Sequence, residues 1–167
     1  ISTQRCLARL RDAGCKLVVM EVSSHALVLG RVAGVCFDCA VLTQISEDHI
    51  DFHGSMEAYT AAKARLFQWS GLKSVVINVD DAAGCCFLRD NIGQSATVAR
   101  IGYGMKEPTT SYNTQDMLQL LDYHFDASGS QMKVAYAGEV WSYQLSLLGL
   151  FNINNMLATL GIMHSLG

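Results

Sequence analysis

Three short runs rich in branched apolar residues restrict this chain most: residues 16–22 (KLVVMEV), 39–43 (CAVLT) and 75–79 (VVINV). Each is too short for a buried helix and too continuously apolar for a half-exposed strand, so each reads as a strand buried on both faces. Between them lie stretches with helical spacing. Residues 4–13 carry Leu7 and Leu10 and are closed by Gly14, a residue suited to ending a helix. Residues 56–69 follow Ser55, a good N-cap, with Glu57 in the first turn. A further helix is expected after Asp80-Asp81, ending near Asn91, and then a strand over 96–102. Strands alternating with helices in this way predict an α/β fold, a mostly parallel sheet with helices on both faces.

The pattern changes after residue 103. Residues 104–114 hold the only proline and many turn formers, which marks an internal boundary. Beyond it, 117–125, 131–137 and 139–147 read as strands joined at 126–130 and at Gly138. Such short turns predict antiparallel pairing, hence a small meander attached to the main sheet. Residues 152–166 form an apolar helix. The expected organisation is a single domain, 1–167, with a main α/β part over 1–103, a small antiparallel sheet over 115–148 and a terminal helix over 151–167. The chain starts and ends beside helical patterns, so a piece of a longer protein is expected.

Composition narrows the function classes. Half of the residues are apolar and 16% are charged, which excludes a disordered tail. A net charge of −3 gives no reason to expect a nucleic-acid or membrane partner. The apolar runs fall far short of the roughly 20 residues that span a bilayer. Six cysteines, at 6, 15, 36, 39, 85 and 86, sit mostly in apolar segments. Without a second C-x-x-C or a C-x-x-H to join Cys36 and Cys39, they read as core thiols of a reduced, cytoplasmic protein.

In open parallel sheets, ligands bind beyond the carboxyl ends of the strands. The first run ends at Glu21 and continues into Ser23, Ser24 and His25. The second leads through Thr43 and Gln44 into 46–54, where Asp48, His49, Asp51 and His53 fall within six residues. The third ends at Asn78, Asp80 and Asp81. Three such ends facing one crevice predict a site. Glu21 suits a hard cation such as Mg²⁺, which takes one or two protein oxygens and fills its octahedron with phosphate and water. A surface acid is the alternative. The acid–histidine segment is either a capped turn, a metal site, or part of a zinc hydrolase with no clear third ligand. Lys63 is a solvated helix lysine, or one aimed at the crevice as a phosphate ligand or a modified, negatively charged group. Arg31 follows a glycine and could grip a carboxylate or phosphate. No G-x-x-x-x-G-K-[ST] phosphate loop occurs in the 167 residues.

At these same residues the sequence resembles the Mur ligases. Glu21 to Leu27, followed by Arg31-Val32, is similar to their E-V-S-S-H-x-L-x-x-x-R-V. Thr43 to Gly54 is similar to T-N-L-S-x-D-H-L-D-Y-H-G. Met56 to Phe67 follows M-x-x-Y-x-x-A-K-x-x-L-F, and Gly149 to Asn155 follows G-x-F-N-x-x-N. The forms are most like those members that join the third amino acid to UDP-N-acetylmuramoyl-L-alanyl-D-glutamate. Other Mur ligases and folylpolyglutamate synthase-like amide ligases are the alternative.

The resemblance implies a P-loop-type central domain of an ATP-dependent amide ligase of peptidoglycan precursor synthesis, acting through an acyl phosphate with ATP and Mg²⁺. It implies that the partners are the UDP-N-acetylmuramoyl dipeptide, a diamino acid (diaminopimelate or lysine) and the remaining ligase domains in cis. By position, Glu21, His49 and Lys63 would hold metal, with His49 and a carbamylated Lys63 catalytic. Ser23 and Arg31 would contact the muramoyl peptide, and Asn152 and Asn155 the nucleotide. Gln44 stands where the family has Asn. The family's phosphate loop would precede residue 1 and its C-terminal domain would follow residue 167, so these residues alone are expected to fold without ligase activity.

Overall fold

The computed structural model describes residues 2–90, 97–105 and 116–167. Helix α1 (Ser2–Asp12) is followed by a short α2 (Ser24–Val28), strand β1 (Cys39–Leu42), α3 (Ile50–His53) and α4 (Met56–Ala64). A 3-10 turn over Arg65–Gln68 extends α4. Then come β2 (Ser74–Asn78), α5 (Ala82–Arg89), β3 (Ala99–Gly104), β4 (Asp116–Asp126), β5 (Gly129–Tyr136), β6 (Glu139–Leu145) and α6 (Leu150–Leu166). The strands form one six-stranded sheet in chain order. β1 to β4 are parallel, with Leu42 level with Ile77 and Ile77 with Gly102. β4, β5 and β6 pair antiparallel, so the meander is continuous with the parallel strands.

The sheet carries helices on both faces, as the alternation of its strands dictates. Val75 and Ile77 of β2 face one side, packed with Ala64, Phe67, Phe87 and Leu88 from the α4 and α5 side. Val76 faces the other, with Ile101, Tyr103 and the α6 residues Ile153, Leu157 and Ala158. α6 lies tight against the strands at Gly161, where a Cβ would stand 2.6 Å from Val76 Cγ1. On β5, buried Met132 and Val134 alternate with exposed Gln131 and Lys133, the signature of a half-covered antiparallel strand. Ser55 accepts from the Ala58 amide at 3.2 Å and Asp81 from that of Gly84 at 3.0 Å, so α4 and α5 begin at the expected caps.

Two expectations are corrected. Residues 16–22 are not a strand: they run unpaired, with Leu17, Val18 and Val19 exposed at 56%, 41% and 77%. Met20 and Val22 turn inward onto Leu27, Val32 and Val35 beneath α2. A branched run becomes a strand only when a neighbour supplies its hydrogen-bond ladder. β1, facing it, pairs with β2 alone among the described residues. Half of the cysteines are not core thiols either. All six are free; Cys6, Cys15 and Cys36 are exposed, whereas Cys85 and Cys86 are half-buried and Cys39 packs against the core. The expected turn-rich boundary lies, from residue 106 to 114, outside the described residues, as does the start of the 96–102 strand.

Candidate functional site

A cleft of about 730 Å³ separates the 17–24 segment from β1 and α6. Apolar side chains line its length. Its polar end, beyond the carboxyl terminus of β1, is lined by Glu21, Ser23, Thr43, Gln44, Ser46, Asp48, His49, Tyr59, Lys63 and Asn155. Five of the seven residues singled out from the sequence therefore share one cleft: Glu21, Ser23, His49, Lys63 and Asn155. Arg31 and Asn152 are not among its lining residues. Arg31 is exposed on the turn after α2. Asn152 sits in the first turn of α6 and donates from Nδ2 to the Leu148 carbonyl at 2.8 Å.

Local sequence explains how each group is held. Ser23 is the N-cap of α2: its Oγ accepts from the Ala26 amide at 3.2 Å, leaving the O–H to donate into the cleft. His49 caps α3 in the left-handed region, φ 55°. That conformation is uncommon for a residue other than glycine and marks a constrained site. Its amide donates to Asp48 Oδ1 at 2.8 Å, and its Nε2 lies 3.4 Å from Asp48 Oδ2. Lys63 is half-buried on α4, one turn beyond Tyr59, with its Nζ 5.2 Å from the Tyr59 ring centroid, a cation–π contact. Tyr59 itself is buried and forms the floor under Lys63 and His49.

Around this end the aromatic rings pack face and edge. His25 lies 4.7 Å from His49, 4.0 Å from Phe52 and 5.6 Å from His53, centroid to centroid. His53 meets Tyr59 at 5.3 Å, and its Nε2 is 2.9 Å from Ser24 Oγ. Partial burial, then the neighbouring His25 and His49 imidazoles, hold the His53 pKa below the usual histidine value, against the opposing pull of Asp51. His25 thus acts as packing that ties α2 to the 49–53 turn.

The donor set suits a hard cation that brings its own ligands. Among the described residues no three His, Cys, Asp or Glu side chains converge on one point. A structural zinc site needs such convergence. A Mg²⁺ ion does not: one carboxylate such as Glu21, with phosphate oxygens and water, completes its shell.

The third strand end does not open into this cleft as expected. Asn78 and Asp81 turn sideways and bond the main chain that follows β1. Sequence reading placed polar residues correctly at the ends of β1 and β2. It gave Tyr59 no part in the site, although its i, i+4 spacing from Lys63 places both on one face of the helix.

Comparison with known proteins bears on the fold and the family. The Mur ligase middle domain family matches residues 1–163. The UDP-N-acetylmuramoyl-L-alanyl-D-glutamate–2,6-diaminopimelate ligase of Ectopseudomonas mendocina is 42% identical over 161 residues, 96% of this chain and 31% of that protein. The ligase of the same name from Pseudomonas aeruginosa is 40% identical over 167 residues, 100% of this chain and 32% of that protein. The chain therefore spans about a third of the length of these relatives. A solved structure of a ligase of this name superposes with a TM-score of 0.76 at 32% identity, over 88% of this chain and 29% of that one. A crystal structure of MurF from Acinetobacter baumannii, at 11% identity, shares the fold with a TM-score of 0.61 over 78% of this chain and 26% of that one. A chain with this sheet and cleft, matched along nearly all of its length, belongs to the Mur ligase middle domain family.

Proposed function

We propose that this chain is the ATP-handling middle domain of a cytoplasmic ligase that joins 2,6-diaminopimelate to UDP-N-acetylmuramoyl-L-alanyl-D-glutamate. The observation that carries the reading is one cleft lined by Glu21, Ser23, His49, Lys63 and Asn155. The names of the relatives supply the substrates. ATP phosphorylates the free carboxylate of the D-glutamyl residue. The amine then attacks the acyl phosphate, and phosphate leaves as the amide forms. Such a reaction is mostly positioning and charge neutralisation.

Each residue has a part set by its place. Glu21 offers the carboxylate for Mg²⁺, which when bound neutralises charge on the transferring phosphoryl group. His49, fixed by its strained backbone, flanks that position. Lys63, carbamylated at Nζ, presents a carboxylate from the floor of the cleft instead of a cation over Tyr59. Ser23 donates its O–H to the muramoyl peptide, and Asn155 reaches the nucleotide. Arg31 and Asn152, which do not line the cleft, have no part in this reading. A phosphate loop of the kind the family carries, in the residues that flank these in the full ligase, would cradle the nucleotide phosphates.

The test is phosphate release from ATP by the ligase polypeptide carrying residues 1–167 with its flanking domains. Release should require the UDP-N-acetylmuramoyl dipeptide and 2,6-diaminopimelate together. Release that instead requires lysine would change the amine. Release with a longer muramoyl peptide and a dipeptide would move the reading to another Mur ligase.

A further inference from the structure

The main chain leaving β1 is held at three points by side chains of the two neighbouring strands and the cap that follows them. Tyr103 Oη donates to the Leu42 carbonyl at 3.1 Å. Asn78 Nδ2 donates to the Thr43 carbonyl at 2.7 Å. Asp81 Oδ2 accepts from the Ile45 amide at 2.9 Å. The anchoring groups are fixed in turn. Asn78 Oδ1 accepts from the Asp80 amide at 2.9 Å. The second oxygen of Asp81 accepts from the Gly84 amide at 3.0 Å and caps α5. Asp80 Oδ2 accepts from the Met105 amide at 2.6 Å, joining the end of β3 to the same knot.

Two of the anchors are dry. Tyr103 and Asn78 are 0% and 3% exposed. Burial, then the nearby Asp81 and Asp80 carboxylates, push the Tyr103 phenol far above its ordinary pKa, so it remains an O–H donor. α5 is pressed against the end of β2 so closely that a Cβ on Gly84 would stand 2.0 Å from the Asn78 carbonyl oxygen. The anchors therefore cannot drift with respect to the sheet.

Between these points the chain turns outward. Thr43 and Gln44 are exposed and line the cleft, and the chain runs on through Ser46 and Asp48 to the left-handed His49. An outgoing loop is normally the mobile part of such a site. Here residues 42–45 are tied to two strands and a helix cap.

We propose that Asn78, Asp81 and Tyr103 are positioning residues, a three-point latch on residues 42–45 that sets Gln44 and His49 against the cleft. None of the three lines the cleft, so they act through the loop and not on the reacting atoms. The latch rests on the ligase reading above only for its effect on turnover.

Two variants separate latch from scaffold. Asp81→Ser keeps a hydroxyl that can cap α5 but is too short to serve Ile45 as well. Asn78→Asp keeps the shape and removes the donor to Thr43. Val134→Ala, on β5 in the core of the other sheet face and two strands from β3, reports the effect of lost stability alone. In the full-length ligase, Asp81→Ser and Asn78→Asp should lower kcat about tenfold or more, with KM for the amine near that of the parent. In both, amide hydrogen exchange at Ile45 and through 46–49 should quicken by a similar factor, while exchange at Val75–Ile77 stays slow. Val134→Ala should lower the melting temperature yet leave kcat per folded molecule unchanged. The latch is overturned if exchange at Ile45 is unaltered in both variants, or if kcat follows stability alone as in Val134→Ala. Should the parent enzyme show no turnover with any amine, the ligase reading fails, and the exchange data still decide whether the latch exists.

Discussion

Lys63 and His53 both lie against the Tyr59 ring, and their chemistry makes separate demands. On the proposed reading, Lys63 over that ring serves the reaction and not the folding. Lys63→Ala should reduce phosphate release by at least about 100-fold, as loss of a charge-positioning group does, with little change in melting temperature. A carbamate should be visible by ¹³C NMR in the parent after ¹³C-bicarbonate and absent in the variant; its absence in both would remove the modification from the mechanism. His53 titrates below its ordinary value of 6.5 in the folded chain. Above that pH both states are neutral and its contribution is complete. As pH falls below 6.5 the unfolded chain takes up the proton first, so stability declines. Thermal melts from about pH 7.5 to about pH 5 should show this loss, and His53→Gln should flatten it. At this scale Glu21, Ser23, His49, Lys63 and Asn155 were legible from motif and strand-end position. Tyr59 was not, because an aromatic on an apolar helix face reads as core in either case.

Among the elements, α6 and the two caps explain how the sheet is held and its loops aimed. α6 rests on β2 and β3 through Gly161, where a Cβ would lie 2.6 Å from Cγ1 of the fully buried Val76. Gly161→Leu should therefore destabilise the fold by about 1–3 kcal/mol through overpacking, read by urea unfolding. Gly161→Ala gains roughly 1 kcal/mol of helix propensity and should fall between; a Leu variant as stable as the parent would mean that α6 can slide. Helix and strand identities followed local pattern wherever the pattern had a partner. Ser55 and Asp81 were readable as caps because capping is local. Residues 16–22 were misread because pairing is not local: they carry a branched apolar run as 75–79 do, yet only the latter lies between two strands.

For the molecule as a whole, one edge of the sheet is the consequence that matters. β1 leaves one edge without a strand among the described residues, facing exposed Leu17, Val18 and Val19 across the cleft. Unpaired edges beside apolar surface favour association. The isolated 167 residues should fold by circular dichroism, release no phosphate from ATP, and self-associate with rising concentration. Val19→Lys should reduce that association in sedimentation velocity without lowering the melting temperature; unchanged sedimentation would place the contact elsewhere. The sequence by itself determined the class of the fold, most of its helices and strands and the caps of α4 and α5, because spacing and capping are properties of neighbours in the chain. Only the tertiary structure decided which strands pair, that 16–22 stands apart from β1, that Arg31 and Asn152 lie off the cleft, and that Asn78, Asp81 and Tyr103 grip the 42–45 main chain. Those outcomes depend on groups 29 to 61 positions apart, such as His53 with Ser24 and Tyr103 with Leu42, whose meeting is set by packing and by the need of buried polar groups for partners.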